Sequence, residues 1–134
     1  AQLLESQGVA AYLEELNSIP AWLAAMEHPR IGERVRQSEL ANDPLALAHV
    51  IRGVQSKRPS VFELEPKLGA CTLPILVLFS EGDAPVVECS RFLAGCLPNA
   101  TVQEISAGSH WTHLEAADEF NQSIDNFLRD LAQS

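Results

Sequence analysis

The chain has 134 residues, of which 46% are hydrophobic and 20% charged, a balance typical of one folded globular domain. Nine Lys and Arg against 18 Asp and Glu give a formal net charge of −9, which argues against nucleic-acid or anionic-lipid partners. No apolar run approaches the roughly 20 residues that cross a bilayer, and no basic segment opens the chain as in a secretion signal.

Residues 1–60 carry helical patterns only, and we predict a helical region there. Apolar residues recur at helical spacing in four stretches, which are Val9–Leu16, Ile19–Met26, Ile31–Val35 and Leu47–Val54. The third helix is expected to open at His28-Pro29. The fourth is expected to follow Asn42-Asp43-Pro44, where a side-chain oxygen caps the helix and proline fits the first turn.

Residues 61–134 change to an alternation of strands and helices. The apolar run Ile75 to Phe79 predicts a strand buried on both faces, and a helical stripe from Cys89 to Cys96 follows it. A polar edge strand over 101–105 and a long helix over 117–131 end the chain. We therefore predict an α/β protein with two parallel strands in a β-α-β-α unit. Two strands cannot bury the first on both faces, so we expect an incomplete sheet that is completed from outside this chain.

The three cysteines, Cys71, Cys89 and Cys96, are an odd number without CxxC spacing. They predict no disulfide framework, no zinc site and a cytoplasmic location. Cys89 and Cys96 lie on the helical stripe and are interpreted as core thiols, because neither stands at a strand end near a base. We predict neither a metal nor a cofactor.

Two polar residues follow the two predicted strands, at the edge where open α/β sheets bind ligands. Asp83 follows the first strand and His110 the second. Adjacent parallel strands would bring the carboxylate and the imidazole within hydrogen-bond reach, which leaves one ring nitrogen free as a general base. Spacing alone leaves two other interpretations open. In these, Asp83 is the cap of the following helix and His110 is an inert loop residue.

The same segments resemble the C-terminal portion of the α/β-hydrolase superfamily. Residues 73–87 are similar to its P-x-L-v-l-x-G-x-x-D-x-x-v segment, and Asp83 falls on the acid position. Residues 107–115 resemble its G-x-G-H-x-x-x-x-E segment, and His110 falls on the catalytic histidine. The first 60 residues resemble the helical cap that many members insert, so the resemblance covers nearly the whole chain.

The chain lacks the family's Gly-x-Ser-x-Gly nucleophile elbow, which precedes the acid and the base in the family's order. The oxyanion-hole loop also lies upstream in the family. Ser80 stands where glycine is usual, and Ser109 where glycine or a similar small residue is usual. The absent initiator Met fits the expectation that the chain begins in the middle of a fold about twice its size.

Several further residues have both a functional and a structural interpretation. Trp111 beside His110 is a candidate substrate-binding residue or packing for the last helix. Trp22 is a second candidate for substrate binding, with the core of the cap as its alternative. Thr112 and Glu115 have the spacing of a capping box before the last helix, and His113 is expected to be exposed.

The resemblance implies a parent enzyme that hydrolyses an ester or an activated carbon–carbon bond of a small apolar or ester-like substrate. The segment around His110 looks most like members that cleave carbon–carbon bonds in ring-fission products. His110 would be the base and Asp83 its orienting acid, and the chain without its missing N-terminal half would be nearly inactive. One alternative is a truncated chain that self-associates through its unfinished sheet, with a homodimer as the commonest form. The other is a ligand-binding module.

Overall fold

The computed structural model describes residues 1–133, which divide into a helical unit (residues 1–58) and a sheet unit (residue 59 onward). The helical unit contains α1 (Gln2–Leu16), α2 (Pro20–Glu27), α3 (Gly32–Leu40), α4 (Pro44–Val50) and a π-helical turn, Ile51–Gln55. This confirms the prediction of a purely helical first region. Among residues 1–133, no helix combines the length and the hydrophobicity that crossing a bilayer requires.

The helical unit is built around a small apolar core. Its buried residues are Leu4, Val9, Leu13, Ala21, Trp22, Ala25, Ile31, Val35 and Ala48. Helix α1 is broken at Gly8, whose φ of +79° lies in the region that glycine tolerates best. The guanidinium of Arg52 hydrogen-bonds the carboxylate of Glu5, and this bond holds the pKa of Glu5 below its ordinary value. This ion pair ties the π-helical turn to α1.

The predicted helical stripe from Leu47 to Val54 is not a buried face. Ala48 is fully buried, whereas Val50 and Val54 are 45% and 58% exposed. The hydrogen-bond pattern changes to π-helical at Ile51, which alters the angle between successive side chains. The prediction of one regular helix is therefore wrong beyond Val50.

As far as residue 133, the sheet unit contains two strands and four α-helices. A 3₁₀ turn (Phe62–Leu64) and α5 (Glu65–Leu68) precede β1 (Ile75–Ser80), α6 (Ala84–Cys96), β2 (Ala100–Ile105), α7 (Thr112–Glu115) and α8 (Ala117–Ala132). The strands are parallel, with Ile75 opposite Ala100 and Ser80 opposite Ile105. The predicted β-α-β-α order and the parallel pairing are confirmed.

Strand β1 is only partly covered. Val77 and Phe79 are buried, and Arg91 of α6 lies over the Phe79 ring at 5.9 Å. Leu76 and Leu78, which alternate with them, are half-exposed. Within residues 1–133 β1 pairs with β2 alone, so its other edge has no strand beside it. The expected burial on both faces is therefore not reached by these two strands.

The predicted capping box before the last helix is wrong. Thr112 and Glu115 bound a separate short helix, α7, and α8 begins after Ala116 without a side-chain cap. The Glu115 carboxylate instead accepts hydrogen bonds from backbone N–H groups of the preceding loop. Each of the two carboxylate oxygens thus has its own backbone N–H donor in this loop.

Candidate active site

The candidate site lies beyond the carboxyl ends of the two strands. Ser80 and Ile105 end β1 and β2 as register partners, so the two following turns leave the same edge of the sheet. The turn after β1 carries Asp83, and the loop after β2 carries His110. Open α/β sheets place their ligand sites at this edge.

The structure brings the two side chains into direct contact. Asp83 Oδ2 lies 2.8 Å from His110 Nδ1. An ionised carboxylate can only accept, so Nδ1 donates its hydrogen and the lone pair is left on Nε2. The Asp83 side chain is 10% exposed and the His110 side chain 62%. The pair thus has a buried carboxylate and an accessible imidazole.

Asp83 also stands at the position that precedes helix α6, where a capping role was open. Its side chain makes no capping hydrogen bond to that helix. The carboxylate is directed to His110, which is therefore not an unattached loop histidine. The catalytic roles of both residues remain predictions.

Ser80 connects the two turns beneath this pair. Its hydroxyl donates to the Ala107 carbonyl at 2.7 Å and accepts from the Gly82 N–H at 3.1 Å. Ser80 is 2% exposed, and its bond to the Ala107 carbonyl is buried. The residue that replaces a usual glycine of the family thus joins the acid turn to the histidine loop.

Gly82 allows the two turns to approach closely. A Cβ at this position would lie 2.4 Å from the Gly108 carbonyl oxygen and 2.6 Å from its Cα. Both are backbone atoms, which cannot move aside as a flexible side chain could. Sequence patterns do not indicate this constraint, because it depends on a residue 26 positions away.

Replacing Gly82 with alanine is expected to lower the free energy of unfolding by about 1–3 kcal/mol, as overpacking does in well-packed regions. Urea denaturation of the whole chain measures it. Gly95→Ala is the matched control, because a Cβ at Gly95 meets no atom within 4 Å. Gly95 lies in α6, so alanine there is expected to be neutral or stabilising. Equal effects of the two substitutions would contradict the close approach.

Glu115 is a second residue of the site that the sequence patterns did not indicate. Its Oε1 accepts from Gly108 N at 2.8 Å, and its Oε2 accepts from Ser109 N at 3.0 Å. Both donors belong to the loop that leads into His110. One sequence feature could have indicated this role: the family segment has a glutamate five residues after the histidine. That glutamate was interpreted as part of a helix cap.

An open cleft of about 140 Å³ lies beside the pair. Its lining residues are Leu78, Phe79, Ser80, Asp83, Val86, Ser109, His110 and Thr112. Trp111 meets His110 edge-on, with ring centroids 5.7 Å apart. Trp22 belongs to the helical unit, where it is 9% exposed. Substrate binding by either tryptophan stays a prediction.

The other predicted residues lie away from the pair. His113 is exposed and its ring lies 6.0 Å from that of Phe120. Cys71, Cys89 and Cys96 are free and half-buried. Within residues 1–133, no three His, Cys, Asp or Glu side chains are grouped closely enough to hold a metal ion.

A parallel strand pair with an acid and a histidine on its two successive turns is the arrangement of the C-terminal part of an α/β-hydrolase. The structure of MenH from S. aureus superimposes on this chain with a TM-score of 0.86 and 28% identity. The match covers 96% of this chain and 48% of MenH. The chain belongs to the α/β-hydrolase superfamily and corresponds to the C-terminal portion of its fold.

Curated relatives agree with this assignment, although no family model matches the chain. A protein of Caulobacter sp. strain K31 named "Putative carbamate hydrolase RutD" is 32% identical over 130 residues. The protein of the same name from Variovorax paradoxus strain S110 is 31% identical over 134 residues. Each match covers 94% of this chain and 47% of the relative, so the chain spans about half the length of these relatives.

Proposed function

We propose that this chain supplies the acid and the base of a nucleophile–His–Asp triad in an α/β-hydrolase. The observation that carries the proposal is the 2.8 Å contact between Asp83 Oδ2 and His110 Nδ1 at the carboxyl ends of two paired parallel strands. His110 is the general base, and Asp83 holds its ring and stabilises the imidazolium. Family membership supports these roles, since both residues fall on the family's positions.

The proton moves through the Nε2 atom of His110. Nε2 accepts the proton of the attacking nucleophile, and the positive charge on the ring is balanced by the buried Asp83 carboxylate. Nε2 then gives this proton to the leaving group. In the second half of the reaction Nε2 takes a proton from the water that attacks the acyl intermediate. Nε2 then returns this proton to the oxygen of the nucleophile as the bond to the acyl group breaks and the acid is released.

The nucleophile and the oxyanion donors belong to the part of the fold outside this chain. The chain spans about half of its relatives' length, and its serines do not stand in a Gly-x-Ser-x-Gly elbow. The edge of β1 that faces away from β2 is the place for the next parallel strand of a complete sheet. The half-exposed Leu76 and Leu78 support this, because added strands and their helices would cover them.

The substrate is proposed to be a small neutral ester or carbamate. The relatives are named carbamate hydrolases, which supports a carbamate. A histidine–aspartate pair serves acyl transfer from an ester as well as from a carbamate. Cleavage of an activated carbon–carbon bond is the alternative reaction. The helical unit is proposed as the cap, with Trp22 and Trp111 as candidate contacts for the apolar part of the substrate.

The isolated chain is expected to hydrolyse nitrophenyl acetate no faster than free imidazole does. Most of the rate enhancement of such a hydrolase comes from its nucleophile and from the donors that stabilise the oxyanion, and both are missing here. Initial rates with the purified chain and with an equal concentration of imidazole measure this. Turnover well above that of imidazole, abolished by His110→Ala, would overturn the proposed dependence on a second half.

Self-association through the free edge of β1 is the second candidate. A six-residue strand edge without a partner is a template for pairing with another copy. Light scattering after size-exclusion chromatography tests it, and a well-folded monomer would count against it. A ligand-binding module, the third candidate, stays a prediction.

A further inference from the structure

The loop that carries His110 is held by carboxylates from the helices that follow it. Glu115 accepts hydrogen bonds from two consecutive backbone N–H groups, those of Gly108 and Ser109. Glu119 accepts a third, from Ser106 N at 3.1 Å. The two bonds to Glu115 reach the peptide groups 107–108 and 108–109, which lie nearer to His110 than the 105–106 group that Glu119 holds.

We propose that Glu115 is a positioning residue for the His110 imidazole. The inference rests on the proposed role of His110 as the base. Two charge-assisted hydrogen bonds fix the peptide groups 107–108 and 108–109, which end one residue before His110. They thereby restrict the path by which the backbone enters His110. Asp83 can then hold the ring through Nδ1 at 2.8 Å without ordering a mobile loop first. Glu115 thus acts on the base through the backbone and does not touch the reacting atoms.

The position of Glu115 separates this role from helix capping. Glu115 is the last residue of the four-residue helix α7. A carboxylate at the C-terminal end of α7 gains nothing from the dipole of that helix. Helix α8 begins two residues later, and no side-chain hydrogen bond caps it. Both carboxylate oxygens of Glu115 are directed to the loop. The contribution of the side chain is therefore to loop geometry.

Ser80 holds the same loop independently from the strand side. Its hydroxyl donates to the Ala107 carbonyl at 2.7 Å, and that carbonyl belongs to the same peptide group as the Gly108 N–H that Glu115 holds. Ala107 and Ser109 are both buried, at 4% and 0% exposure. Loss of Glu115 is therefore expected to loosen residues 108–110 while the loop stays attached at Ala107.

The test is ¹⁵N NMR of the ring nitrogens of His110 in the whole chain, at a pH where the imidazole is neutral. In the wild type, the ring shifts are expected to report the proton on Nδ1, because the partner of one nitrogen selects the tautomer. In Glu115→Ala they are expected to move toward those of the exposed His113. Amide exchange at Gly108 and Ser109 should accelerate by about 10- to 100-fold, the effect of losing a hydrogen bond to a charged group.

Glu119→Ala is the matched control, since it removes the carboxylate that accepts from Ser106 N. Ser106 belongs to the same loop and lies four residues before His110. The substitution is expected to speed exchange at Ser106 and to leave the His110 tautomer unchanged. Glu115→Gln keeps the side-chain volume but replaces one acceptor with a donor, so it should fall between the wild type and Glu115→Ala. Glu115→Gln also serves as the variant to interpret if Glu115→Ala fails to fold.

The outcomes separate the two proposals. A wild-type His110 without the Nδ1-protonated tautomer would overturn both the Asp83–His110 pair and the role of Glu115. A wild-type tautomer that persists in Glu115→Ala and Glu115→Gln, despite faster amide exchange, would overturn the positioning role alone. An equal tautomer change in Glu119→Ala would also overturn it, because the effect would then belong to the loop as a whole.

Discussion

Replacement of His110 with alanine is expected to lower ester hydrolysis by about 10⁴- to 10⁶-fold in a polypeptide that extends this sequence upstream through the proposed nucleophile. Loss of the imidazole removes the proton acceptor for the nucleophile and the proton donor for the leaving group. The KM for nitrophenyl acetate should change little, since His110 contributes to the transition state more than to binding. Steady-state kinetics of both proteins measure the two parameters.

His113→Ala is the matched control for this substitution. His113 lies three residues away in α7, is exposed, and contacts Phe120 instead of Asp83. Its replacement is expected to leave kcat within a few-fold of the wild type. If His113→Ala lowered kcat as strongly as His110→Ala, the base would be misassigned or the effect would lie in the fold. Thermal melting of both variants distinguishes these two explanations.

The sequence predicted the element order well because hydrophobic period differs between helices and strands. The run from Ile75 to Phe79 became β1, and the stripe from Cys89 to Cys96 became part of α6. The prediction failed where local geometry departs from a regular period. Apolar spacing could not reveal the π-helical turn at Ile51–Gln55, since that turn changes the hydrogen-bond partner and not the composition.

The candidate site was predictable to the extent that side chains alone define it. Asp83 and His110 were found because each follows a strand and parallel strands end at one edge. Ser80 meets a backbone group 27 residues away, whereas Glu115 bonds N–H groups six and seven residues before it. Gly82 lies against the backbone of Gly108. Sequence patterns report none of these contacts with the backbone. The family segment did contain Glu115, but a glutamate near a helix start has an ordinary interpretation as a cap.

Asp83→Asn is expected to lower kcat by about 10⁴-fold in the same extended polypeptide, the effect of losing the orienting carboxylate of a triad. The asparagine amide can donate to Nδ1 of His110, which places the ring proton on Nε2 and removes the base. The substitution is nearly isosteric, so the turn should keep its shape. Kinetics with nitrophenyl acetate and ¹⁵N shifts of the His110 ring measure the two effects. Glu81→Gln, in the same turn but exposed, is expected to change neither.

This substitution also separates the two roles that the sequence leaves open for Asp83. Asparagine caps helices about as well as aspartate. If Asp83 served only to begin α6, Asp83→Asn would retain activity and stability, whereas Asp83→Ala would lower stability by about 1 kcal/mol. If Asp83 orients His110, Asp83→Asn loses activity while the free energy of unfolding changes little. The carboxylate makes no capping hydrogen bond and lies 2.8 Å from Nδ1, so the second outcome is expected.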